Sequence, residues 1–337
     1  MIFGDVPLDQ AEGAILAHSM PAVKDGQPYR IAKGTVLTAE HLRALADAGR
    51  DHVVVARLGD DDIEENAAAL ELAQALVPDA ETQGLRISGA GAGRVNLYAT
   101  TPGVAVMDVT AINALNAVHP MITLATVPQY HRCDDGGMVA TIKIIAYGVP
   151  RAALAQAAAA GRAALHIARP RYATATLIES QVGGAAPSTK GREAMAGRLE
   201  RLDMALTDRV ICDHTTEALA QAIAQAAGEV VLVLTASATS DPCDVAPQAL
   251  RVAGGQVAAF GMPVDPGNLL FFGSINDKPV IGLPGCARSP ALNGADWVLE
   301  RLVCGLTLDQ GDISAMGVGG LLKEIPTRPR PRSASKP

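Results

Sequence analysis

Between about residue 172 and residue 325 the chain alternates short apolar runs with helix-forming stretches. One of those runs, Val230-Val231-Leu232-Val233-Leu234, contains no polar residue. A strand that is apolar at every position is buried on both faces, as in the middle of a parallel sheet covered by helices on each side. Residues 174–179 and 208–212 also read as strands, and 190–202 and 215–227 as helices. The rhythm predicts an α/β fold with a doubly wound sheet. Any ligand should then lie against the loops that follow the carboxyl ends of the strands.

The preceding chain reads as two smaller α+β units. Residues 1–76 form a small N-terminal α/β or β-rich unit, with a strand and turn at 30–37 and a helix that Thr38 caps. Glu40 and His41 fall in that helix's first turn and Gly49 at its stop. Residues 51–56 read as a buried strand and 63–76 as a helix. The run Asp60-Asp61-Asp62 complements the start of that helix rather than holding a cation. A middle α+β unit covers 77–170, with a strand at 138–146 and an alanine-rich helix at 151–168. Its Gly89-Ala90-Gly91-Ala92-Gly93 run is a turn, because the third glycine falls one residue early for a dinucleotide loop. Cys133, beside His131 and Asp134, reads as an incidental loop thiol. The α/β domain occupies 171–325. The last twelve residues, 326–337, hold Arg328, Arg330, Arg332 and Lys336 among prolines and no acid, which is the composition of a linker or tail.

Composition removes several function classes. A net charge of −7 and few aromatics (Trp 1, Tyr 5, Phe 4) leave neither a basic field nor a stacking platform, so nucleic acid is not an expected partner. No apolar run approaches the roughly 20 residues of a membrane span. Met1-Ile2-Phe3-Gly4-Asp5 lacks the opening of a signal peptide. Five widely spaced cysteines suit reduced thiols, which together predict a cytoplasmic protein.

Three loops in the α/β region carry the candidate chemistry. Residues 235–244, Thr-Ala-Ser-Ala-Thr-Ser-Asp-Pro-Cys-Asp, follow the apolar strand and lead into a helix. Thr235, Ser237, Thr239 and Ser240 supply hydroxyls beside a helix N-terminus. Asp244 fits the N-cap of that helix, which leaves Asp241 as the freer acid. A second loop contains Pro266-Gly267. A third, Leu283-Pro284-Gly285, runs through Cys286, Arg288 and Ser289 into the last helix.

In this order the motifs resemble the molybdopterin-binding domain shared by molybdopterin adenylyltransferases and molybdenumtransferases. More narrowly, they resemble the molybdopterin-binding half of bacterial proteins fused to a molybdenum-cofactor nucleotidyltransferase. That resemblance extends to Lys33-Gly34-Thr35, Arg94-Val95-Asn96-Leu97, Asn293-Gly294 and Gly317-Val318-Gly319-Gly320. It implies binding of molybdopterin or molybdenum cofactor, with Thr235, Ser237, Thr239 and Ser240 around the phosphate or pterin. Pro266, Gly267, Pro284, Gly285 and Cys286 would also contact the cofactor. Arg288, Ser289 and Lys190 would serve a second anion such as molybdate, and Cys286 would stand beside them. Asp241 and Asp244 are the candidate catalytic and Mg²⁺-binding residues. The implied partners are a nucleotidyltransferase domain, on the same polypeptide or a separate one, and molybdoenzymes, with a homo-oligomer as the expected assembly. Ala236 and Ser237 replace the two glycines of the catalytic relatives and add side chains where close backbone approach is usual. Binding and presentation of the cofactor is therefore the first reading. A catalytic molybdenumtransferase or adenylyltransferase, and a non-catalytic cofactor sensor, are the alternatives.

Overall fold

The structure is a computed structural model and describes residues 1–322, so the tail at 326–337 lies outside it. The chain divides into two compact units. One is Met1–Thr101 with Ala105–Ile167, and the other is Pro102–Val104 with the chain from Ala168 onward. No helix among the described residues is long and apolar enough to cross a membrane.

In the first unit, strand His52–Arg57 lies between Ile2–Pro7 and Ile15–Leu16. Helix Ala39–Asp47 begins at Thr38, whose side chain accepts from the His41 backbone while the His41 ring accepts from the Thr38 backbone. That reciprocal cap fixes the helix start the sequence signals. A four-stranded antiparallel sheet runs in the order Ile122–Thr126, Met138–Ile144, Arg94–Ala99, Leu85–Ile87. Leu72 and Leu76 of helix Glu65–Leu76, and Leu154 and Ala157 of helix Arg151–Ala160, share one core with it.

Two element boundaries differ from expectation. The alanine-rich helix ends at Ala160, and Leu165–Ala168 is a strand. A Cβ at Gly161 would lie 2.4 Å from Leu115, so the chain turns there against the neighbouring helix. Beyond it, buried Leu165 and Ile167 flank exposed His166, the period-two pattern that the alanines before it conceal. The acidic segment before the other helix also contains a short strand, Asp62–Glu64, paired with Gly148–Pro150.

The second unit is α/β and doubly wound. Its sheet runs from Ala205–Leu206 and Val210–Asp213, both on one side of Thr174–Gln181, through Val230–Leu234 and Lys278–Leu283 to Phe271–Ile275 and Gln256–Phe260. The pairs from the Ala205 edge to Lys278–Leu283 are parallel, and the last two are antiparallel. Val230, Leu232 and Leu234 point into a core with Met195 and Leu199 of one helix and Val298 and Leu299 of another. Val231 and Val233 point to the opposite face, among Leu219, Ile223, Ala249 and Leu250. Lys278–Leu283 is a strand buried from Val280 onward, ahead of the Pro284-Gly285 turn, and its neighbour spans Phe271–Ile275.

This topology places a crevice. The connection leaving Thr174–Gln181 runs toward the Ala205 edge, whereas that leaving Val230–Leu234 runs toward the Gln256 edge. The two strands pair in parallel, so the loops after them diverge at their carboxyl ends, the position where open α/β sheets take ligands.

Candidate functional site

The loop at 235–244 is built from its own hydrogen bonds. The buried Thr235 hydroxyl donates to the Ser237 carbonyl at 2.6 Å, and the buried Thr239 hydroxyl lies 3.5 Å from it. These two side chains hold the loop's shape, while Ser237 and Ser240 stand exposed at the rim. Asp241 accepts from the Cys243 N–H at 2.7 Å in a tight turn. Asp244 caps helix Val245–Val252 and accepts from Ser240 N–H at 3.0 Å and Val245 N–H at 2.7 Å. Those backbone donors, Ser240 first, hold the Asp244 carboxyl below the usual carboxylate range. Each Asp244 oxygen thus has a backbone donor. Among the described residues no group of three or more His, Cys, Asp or Glu side chains is arranged to hold a metal ion. The geometry of Asp241 and Asp244 is that of a turn and a cap.

The cap makes a pH-dependent prediction. An Asp with a depressed folded-state pKa contributes stability that is present above its unfolded value and lost as pH falls through the folded one. Asp244→Ala should therefore cost about 1 kcal/mol at pH 7, with the deficit shrinking as the solution is taken below the ordinary aspartate range. Urea denaturation of both proteins at neutral and acid pH measures it. An equal deficit at both pH values would show that the charge on the cap is irrelevant.

Arg288 joins two loops: its Nη2 donates to the Thr235 carbonyl at 2.7 Å. Pro284 is buried, Gly285 and Ser289 are exposed, and Cys286 is half-buried in a short 3-10 turn, Gly285–Arg288. Pro266 and Gly267 pack elsewhere along this edge. The Pro266 carbonyl accepts from Gly294 N–H at 2.8 Å, and a Cβ on Gly267 would come within 2.7 Å of that nitrogen. They position the start of helix Gly294–Val303. Lys190 opens helix Lys190–Glu200, exposed and without an ion pair among the described residues. Cys304 is buried, its thiol pushed up to about 12 by desolvation and so inert at neutral pH.

Four residues not anticipated from the sequence complete the crevice. Ser180, buried at the end of Thr174–Gln181, accepts from Ala236 N–H at 2.8 Å and lies 2.9 Å from His214 Nδ1. Its hydroxyl ties the end of this strand to the loops that follow its two parallel neighbours, Val210–Asp213 and Val230–Leu234. Buried Glu179 pairs with Arg209 at 2.8 Å, and Arg209 also donates to the Pro187 carbonyl at 2.6 Å. That pair anchors the loop leaving the first of these strands. No short motif marks either link, since Ser180 and His214 are 34 residues apart and Glu179 and Arg209 are 30 apart.

Residues 5–57 match the family model of a domain of unknown function (DUF8806). No curated protein matches the chain. Solved structures with some likeness include a molybdopterin biosynthesis moeA protein from Pyrococcus horikoshii. It is 15% identical over 90% of this chain and 75% of that chain, with a TM-score of 0.32. A second moeA protein structure, from Pyrococcus horikoshii OT3, is 11% identical over 84% and 69%, with a TM-score of 0.22. Both likenesses are remote.

Proposed function

We infer that the second unit binds molybdopterin or molybdenum cofactor in the crevice at the carboxyl edge of its sheet, and that the protein takes part in maturing or presenting that cofactor. One observation carries the reading. The loops at 235–244 and 284–293, which hold the resemblance in sequence, are strapped together by Arg288 at the divergence of the parallel strands. The ligand has a phosphate monoester and a flat polar ring. Exposed Ser237 and Ser240 offer hydroxyls, Lys190 a free ammonium, and the Arg288 guanidinium the donors not engaged by Thr235. Asp241 and Asp244 serve this site by shaping the loop, which favours binding and presentation over metal-dependent transfer. A nucleotidyltransferase is the proposed recipient.

Protein isolated from a cofactor-producing host should release a pterin, detected by fluorescence after acidic oxidation. Thr235→Val removes the hydroxyl that shapes the loop and should weaken pterin retention about tenfold. Absence of a pterin, together with no affinity for added molybdopterin, would overturn the reading. Unchanged retention in the variant would place the pterin elsewhere.

A further inference from the structure

The first unit holds a polar cleft of its own. It measures about 440 Å³, and its lining includes Lys33, Thr35, Glu65, Lys143, Ile145 and Tyr147. That volume is within the range of small-molecule sites, roughly 300–1,000 Å³. In a chain of net charge −7 its charge is reversed, since two lysines face one glutamate.

The walls are fixed, and one of the two cations is unpaired. Lys143 Nζ donates to the Ala92 carbonyl at 2.6 Å and pairs with Glu65 at 3.5 Å, which engages two of its three N–H donors. Ala92, from the glycine-rich run at 89–93, also lines the cleft. The Gly93 N–H donates to Asn66 Oδ1 at 2.9 Å, and a Cβ on Gly93 would fall 2.5 Å from the Glu65 carboxylate. The Tyr147 hydroxyl donates to the Ala17 carbonyl at 2.7 Å, which holds its ring in place. Against these settled groups, and among the described residues, exposed Lys33 makes no ion pair and the Thr35 hydroxyl makes no hydrogen bond to protein. The adjacent helix end does not supply the attraction, because Glu64 already accepts from Asn66 N–H and Ala67 N–H.

We propose that this cleft binds the phosphate group of a small organic phosphate monoester, held between the Lys33 and Lys143 ammonium groups with Thr35 as a further donor. Two ammonium groups and a hydroxyl offer several N–H and O–H donors to one compact anion, which suits the three terminal oxygens of a phosphate monoester. The organic part lies against Ile145, 55% exposed at the mouth, and the Tyr147 ring. This site is independent of the pterin reading.

Titration calorimetry with phenyl phosphate and with inorganic phosphate tests it on the whole protein. Phenyl phosphate should bind saturably and more tightly than inorganic phosphate. Lys33→Gln, a change at an exposed side chain, should weaken phenyl phosphate about tenfold, while Lys33→Arg keeps most of the affinity. Melting curves of the variants confirm that they are folded. Absence of saturable binding, equal affinity of Lys33→Gln and wild type, or no preference for the phenyl ester would each overturn the proposal.

Discussion

Arg198→Met is expected to destabilise the second unit by about 3–5 kcal/mol, the cost of leaving a buried carboxylate without its partner. Arg198 leaves helix Lys190–Glu200 and forms an ion pair with Asp296, both side chains about nine-tenths buried. Its remaining donors reach the carbonyls of Ala194, Ala287, Ser289 and Ala291, at 2.8–3.2 Å. One guanidinium therefore fastens the whole loop that carries Cys286, Arg288 and Ser289. Asp296 in turn accepts from the Asn293 N–H at 2.7 Å, in the cap of the last helix. Methionine keeps the aliphatic stem but supplies none of these donors, so the variant should both melt earlier and lose pterin. Guanidinium denaturation, with pterin release followed in the same samples, checks both effects. A loss below about 1 kcal/mol would mean that the Asp296 site is wet enough to make the pair dispensable.

Gly282→Ala should be nearly as damaging, at about 3 kcal/mol. Gly282 faces Phe271 across the antiparallel pair at the centre of the sheet. A Cβ there would lie 1.9 Å from the Phe271 ring, itself only 1% exposed and packed on every side. Neither strand can give way without disturbing Lys278–Leu283, which also pairs with Val230–Leu234. For a unit of this size the loss corresponds to a melting shift of roughly 6–12 °C. Phe271→Leu in the same background should recover part of the loss by vacating the space, and calorimetry of the pair measures the coupling. No recovery would show that the clash is with backbone instead.

The same residues show why some of the fold is legible in sequence and some is not. Val230–Leu234 announces itself, because burial on both faces leaves no polar position. Thr38, Thr215 and Asp244 mark helix starts because the cap chemistry is local. The strand Lys278–Leu283 is masked by Pro279 and Gly282, ordinarily turn residues. Pro279 lies near the strand's start, and Gly282 exists to accommodate an aromatic ring 11 residues away in sequence. In the candidate site, the loop at 235–244 is visible as a string of hydroxyls. Which of them face inward depends on contacts such as Thr235 to Ser237, which composition does not encode. The ties from Ser180 to His214 and from Glu179 to Arg209 arise only once parallel strands bring distant segments side by side.

The alternation along Val230–Leu234 has a mechanical consequence. Its odd and even side chains belong to two separate apolar layers, one on each side of the same backbone. Loosening the helices on either side removes support from the strand that the other side also rests on. The crevice at the end of that strand therefore stands on a backbone that two apolar layers hold from opposite sides.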